Sequence, residues 1–208
     1  MLTLAGVVSA QGDERRAAAL YGQLRELLPT LGDEAAAPAH MNLADWAIGR
    51  GDYPTARRDA EQSFALYRGT GHIWGMAGSL LCLGLACLGH GEDGEARTQL
   101  EESLRLSARL GDNEGIGRCL SVLAAVAQER GDAAKATQLL ARSEALFEEI
   151  DGELDGVERA VHDLTLTKVR SELAAGPFEN LWSQGRSLSL EEAVNYALSD
   201  ELERVARP

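Results

Sequence analysis

Along the chain, a leucine followed by a small residue recurs at one interval, in Leu4-Ala5, Leu43-Ala44, Leu83-Gly84 and Leu123-Ala124. Further columns run in step with it: Ala17, Ala56, Ala96 and Ala136; Leu27, Leu66, Leu106 and Leu146; and Ser63, Ser103 and Ser143. Polar turns punctuate these apolar columns. Gly12-Asp13, Gly51-Asp52, Gly91-Glu92 and Gly131-Asp132 return about every 40 residues. Gly32-Asp33, Gly71-His72, Gly111-Asp112 and the reversed Asp151-Gly152 stand midway between them. Each period therefore predicts two helices joined by a turn. The Gly-Asp pair suits both sides of such a turn, because glycine ends one helix with a positive φ and the carboxylate caps the next. A large residue beside a small one, facing an alanine on the partner helix, is what close packing at about 8–10 Å between axes requires.

Leu-small, then Gly-Asp, then Ala at these offsets resembles the tetratricopeptide repeat, in a long-period form of about 40 residues instead of 34. The resemblance implies an all-α, right-handed superhelical solenoid of helical hairpins. Units are expected near 1–33, 34–72, 73–112 and 113–152, with a partial unit at 153–175, in which Leu164 takes the leucine column after a one-residue shift. A C-terminal capping segment, 176–208, follows. Within it Ser189 and Glu192 form an S-x-x-E capping box that starts a final helix through Leu198. The stretch from Trp182 to Leu198 is similar to the tail that closes the repeat domain of bacterial LuxR-type and other regulatory signalling ATPases.

Composition narrows the function. An apolar content of 45% suits a solenoid that spreads its core along its length. A net charge of -13 opposes phosphate contacts, so no nucleic acid is expected to bind through this chain. Cys82, Cys87 and Cys119 form an odd set without metal spacing, which points to a reduced, cytoplasmic setting. His40, His72, His90 and His162 lie in four separate segments, and neither a metal nor a cofactor is expected. Leu2 to Ala10 and Ile73 to Gly89 are apolar, but both sit in register with the repeat, so no membrane span is expected. Phosphate-loop, nucleophile-elbow and zinc-protease motifs are absent, and no catalytic residue is nominated. Glu101-Glu102 and Glu148-Glu149 read as solvated faces, Trp46 and Trp74 as fillers between hairpins, and Trp182 as a seal on the last repeat.

In superhelices of the resembled family the first helices line a concave groove. That places Met41, Asn42 and Asp45 in the groove from the second unit, Leu81, Cys82, Leu85 and Leu88 from the third, and Arg118, Ser121 and Gln128 from the fourth. The third helix of this row is apolar all round. Three arrangements account for it: burial against neighbouring helices, a groove for an amphipathic helix or small apolar ligand, or a homodimer seam. In the groove reading, Leu85→Glu is expected to abolish binding with little loss of stability. At the start, Leu4 stands at the seventh position of its repeat, and Leu2, Leu4, Val7 and Val8 form an apolar edge. The expectation is a chain cut from a longer array, or a homodimer through this edge.

The expected function is binding, without catalysis, of a protein, a peptide or a small inducer. The expected context is the sensor part of a bacterial transcriptional regulator or signalling ATPase. A free-standing adaptor or scaffold protein is the alternative, and an enzyme with an unrecognised site ranks below it.

Overall fold

The computed structural model describes residues 13–199. The leading edge with Leu2, Leu4, Val7 and Val8, and with it the homodimer seam expected there, lies outside the described residues, as do Ala5 and Gly12. Regular structure among the described residues is entirely helical. The helices are α1 (Glu14–Leu27), a 3-10 turn (Leu28–Thr30), α2 (Asp33–Gly49), α3 (Tyr53–Thr70), α4 (Ile73–His90) and α5 (Asp93–Leu110). They continue as α6 (Asn113–Glu129), α7 (Ala133–Glu149), α8 (Gly156–Glu172), α9 (Ala175–Ser187) and α10 (Leu190–Leu198).

The chain packs as two compact units, one up to Leu106 and one from Ser107. In the first, α2 and α3 form a hairpin, α4 packs on both, and α1 closes against α2. Ala17, Tyr21, Leu24, Ala39 and Leu43 make the core at that end, with Trp46 stacked on Tyr21 at 4.8 Å between ring centroids. In the second, α6 and α7 form a hairpin, α8 packs on α6 and α9 packs on α7.

Among the described residues, the alanine column and the leucine-small column take up their expected buried places. Ala17, Ala56, Ala96 and Ala136 are all fully buried, and so are Leu43 and Ala44. A Cβ on Gly84 would lie 2.5 Å from Leu100, which shows why the small residue of the column is a glycine in α4. The serine column has a bonding role that its spacing did not disclose. Ser63, Ser103 and Ser143 each donate a buried hydrogen bond to a main-chain carbonyl 26 residues earlier, on Ala37, Ala77 and Gly117, at 2.9, 2.8 and 2.8 Å. Each bond ties the second helix of a hairpin to the first.

The turns follow the Gly-Asp rule with two departures. Gly51, Gly71, Gly91, Gly111 and Gly131 have φ between 66° and 82°. Asp52, Asp112 and Asp132 accept from the main-chain N–H three residues on. At Asp151-Gly152 the reversed order places the aspartate in the left-handed position, at φ 52°. At Gly32-Asp33 the glycine is extended (φ -73°) and Asp33 is already the first helical residue, because the chain arrives through the 3-10 turn.

Other expectations are corrected. Trp74 is 53% exposed and fills no gap between hairpins, since it faces outward from the first turn of α4. Leu164 is 60% exposed and does not join the buried leucine column; α8 buries Glu158, His162, Thr165 and Val169 instead. Leu27 is 39% exposed, whereas Leu146 of the same column is buried. The capping box at Ser189 and Glu192 is present and α10 ends at Leu198. Gly185 lets α9 approach α7 so closely that a Cβ there would lie 2.4 Å from the Gln138 carbonyl oxygen. One described helix, Ile73–His90, is long and apolar enough to cross a membrane, and 61% of it is buried inside the protein.

Candidate functional site

The residues nominated for binding fall into two groups, and each group belongs to one unit. In the first unit, Met41, Asn42 and Asp45 lie on α2, and Leu81, Cys82, Leu85 and Leu88 on α4. The two helices meet where the Met41 sulfur would lie 3.0 Å from a Cβ on Gly78. Asn42 turns inward on its own helix and donates to the Pro38 carbonyl at 2.8 Å. Asp45 is exposed and Met41, Asn42 and Leu88 are half-buried. Leu81, Cys82 and Leu85 are buried, with Leu85 only 3% exposed, so a charge at position 85 would be forced into packed apolar surroundings. The expectation that Leu85→Glu leaves stability intact is corrected on that ground.

In the second unit the nominated side chains face α8. Arg118 Nε donates to Glu158 Oε1 at 2.9 Å, and its Nη2 makes a second, shorter contact with the same oxygen. Ser121 Oγ lies 3.0 Å from His162 Nδ1, whose Nε2 lies 3.2 Å from Glu144 Oε1. Gln128 Nε2 donates to Glu172 at 2.6 Å, while its Oε1 is buried without a partner. Ser121 and Gln128 are buried, so neither meets a ligand without giving up its partner on α8. None of these partners was found from sequence. Only the 40- to 44-residue separations, one repeat period, connect them.

Ser121, His162 and Glu144 have the membership of a Ser-His-acid triad but not its working geometry. The partners fit the tautomer in which Nε2–H donates to Glu144 and Nδ1 accepts from the serine. The serine hydroxyl is fully buried, and a cleft of ≈ 530 Å³ reaches His162 and Glu144 from the other side. That cleft lies between α7, α8 and the connection joining them, and Ser121 is not among its lining residues. The His162 hydrogen bond, with Arg159 nearby, holds the Glu144 carboxyl below its ordinary range against the opposing effect of burial.

A comparable buried carboxylate braces the first unit. Asp59 accepts from Arg25 at 2.7 Å and pairs with His40 Nδ1 at 3.0 Å, joining α3 to α1 and α2. Burial pushes its pKa up, but the bonds to His40 and Arg25 outweigh this and hold it below the ordinary value. Cys87, Glu92 and Glu95 converge within 4.8 Å, a cluster that sequence spacing did not reveal. The Arg57 guanidinium bridges both carboxylates, at 2.6 Å to Glu92, and burial pushes the Cys87 thiol up to about 11. A thiol kept protonated by burial, beside two carboxylates already engaged by one guanidinium, is a poor donor set for a cation.

The fold and these braces define a helical-repeat protein. Residues 75–149, from α4 to α7, match the tetratricopeptide repeat family. Proteins of Mycobacterium bovis and Mycobacterium tuberculosis that carry the name HTH-type transcriptional regulator are 25% identical to the chain over 162 residues. The match covers 78% of this chain and 18% of each relative, so the chain spans less than a fifth of their length. No solved structure matches the chain.

Proposed function

We propose that the chain is the non-catalytic interaction part of a bacterial transcriptional regulator, and that it binds a protein, a peptide or a small inducer through its first-helix row. The observation that carries this reading is the combination of a tetratricopeptide match with regulators that align over most of the chain. Braced hairpins supply a scaffold within each unit, and the triad-like group found among the described residues has its Ser121 hydroxyl fully buried. Asp45, Leu88 and Met41 are the accessible positions for partner contact in the first unit, and Arg118 is one in the second. A DNA-reading segment and a nucleotide-binding module would lie elsewhere in the same polypeptide, and the setting is cytoplasmic.

The test is an immunoblot of the source cells with an antibody against this chain, followed by capture of partners. A band several-fold larger than 22.3 kDa supports the regulator. A band at 22.3 kDa sinks it in favour of a free-standing adaptor. In the capture step, Asp45→Arg with Leu88→Glu should lose the partner while keeping the parent melting temperature. Unchanged capture would move the contact surface elsewhere.

A further inference from the structure

The cleft between α7 and α8 has no part in that reading. Most helix connections in the array take two or three residues, but the one from Glu149 to Gly156 takes six, and Gly152 to Leu154 of this stretch form one wall of the cleft. The volume of ≈ 530 Å³ falls within the range of small-molecule sites, about 300–1,000 Å³. Phe147 and Leu154 make its apolar lining, and His162 with Glu144 its polar base.

We propose that this cleft binds an organic ammonium or guanidinium cation, with Glu144 as its main carboxylate partner. Three carboxylates, Glu144, Glu148 and Glu153, face one guanidinium, Arg159. Glu148 is paired outward with Arg186 and Arg159 with Asp163, so counting these partners leaves the same excess of negative charge. His162 occupies one position on Glu144 Oε1, while a carboxylate offers about four lone-pair sites. The Glu144 side chain is 32% exposed, within reach of a ligand yet partly screened from water. An anion would find only Arg159, already engaged. The same cation chemistry is carried by a free amine and by a lysine or arginine side chain of a peptide.

The experiment follows the His162 imidazole resonances of the full chain while 1,5-diaminopentane is titrated to roughly 10 mM, the range of weak millimolar binding. Pentane-1,5-diol and glutarate are the neutral and anionic controls. A saturable shift with the diamine, weakened at least about tenfold in Glu144→Gln and absent with both controls, supports the site. The amide of Glu144→Gln still accepts from His162, so its melting curve should match the parent. Should it melt early, Glu153→Gln takes its place, with a several-fold loss expected. No saturable shift, an equal response in the variant, or tighter binding of glutarate overturns the proposal. A capped Gly-Lys-Gly peptide separates the sources: binding equal to the diamine points to a side chain, and no binding to a free amine. The immunoblot above is unaffected by either result.

Discussion

At the scale of single residues, the same amino acid serves opposite ends. Gly91 has φ 82° at the end of α4, a conformation costing most side chains roughly 1–2 kcal/mol, so Gly91→Ala should lower stability by about 1 kcal/mol. Gly22 sits exposed within α1 with nothing near its missing Cβ, and Gly22→Ala should raise stability by about 1 kcal/mol. Urea unfolding of the two variants checks both signs, and a shared sign would contradict the turn geometry. Asp59 gives a pH dependence. Its folded pKa is depressed, so its contribution is complete above the ordinary aspartate range and is lost as pH falls below about 4 through the folded value. Asp59→Asn should therefore flatten the acid limb of a melting-temperature profile while lowering its neutral plateau. An unchanged acid limb would mean that the contacts with Arg25 and His40 do not hold in solution.

The hairpin is the next scale, and here packing and hydrogen bonding act together. Ala96 is fully buried, so Ala96→Trp should cost roughly 1–3 kcal/mol or more. Ser103→Ala removes a buried bond to Ala77 and should cost about 1 kcal/mol, in line with the usual net worth of one hydrogen bond. Differential scanning calorimetry orders the two; a silent Ala96→Trp would mean that the columns are aligned wrongly. These columns were legible because close approach of two helices admits few side chains, and the restriction repeats with the period. The capping box at Ser189 was legible for a similar reason, as its chemistry is local. The failures fell at the end of the array, at Leu164, and also inside it, at Trp74 and Leu85, where burial depends on which neighbour covers the position. Leu164 reached the column only after a one-residue shift, and α8 turns Glu158 and His162 inward instead, to meet Arg118 and Ser121. Long-range pairs such as Ser121 with His162 leave no trace in spacing beyond one repeat period, and so the partners of the nominated site residues were not readable.

For the whole chain, charge is the property that matters. With 33 acidic against 20 basic residues, many of the arginines are already held in ion pairs, among them Arg25, Arg57, Arg97, Arg118, Arg142 and Arg186. The net charge of -13 opposes phosphate contacts whatever the remaining basic side chains do. The isolated chain should leave a labelled DNA duplex unretarded on a native gel at physiological salt, and a salt-sensitive shift would contradict this.

The serine bonds carry a further consequence for descent and for construction. Each one begins and ends inside a single hairpin, Ser63 to Ala37, Ser103 to Ala77 and Ser143 to Gly117. Copying or excising one complete hairpin leaves every such bond with its own acceptor, whereas a cut between the two ends of a bond separates the serine from its carbonyl. Whole hairpins are therefore the steps in which the gene can lengthen or shorten without separating a serine from its acceptor.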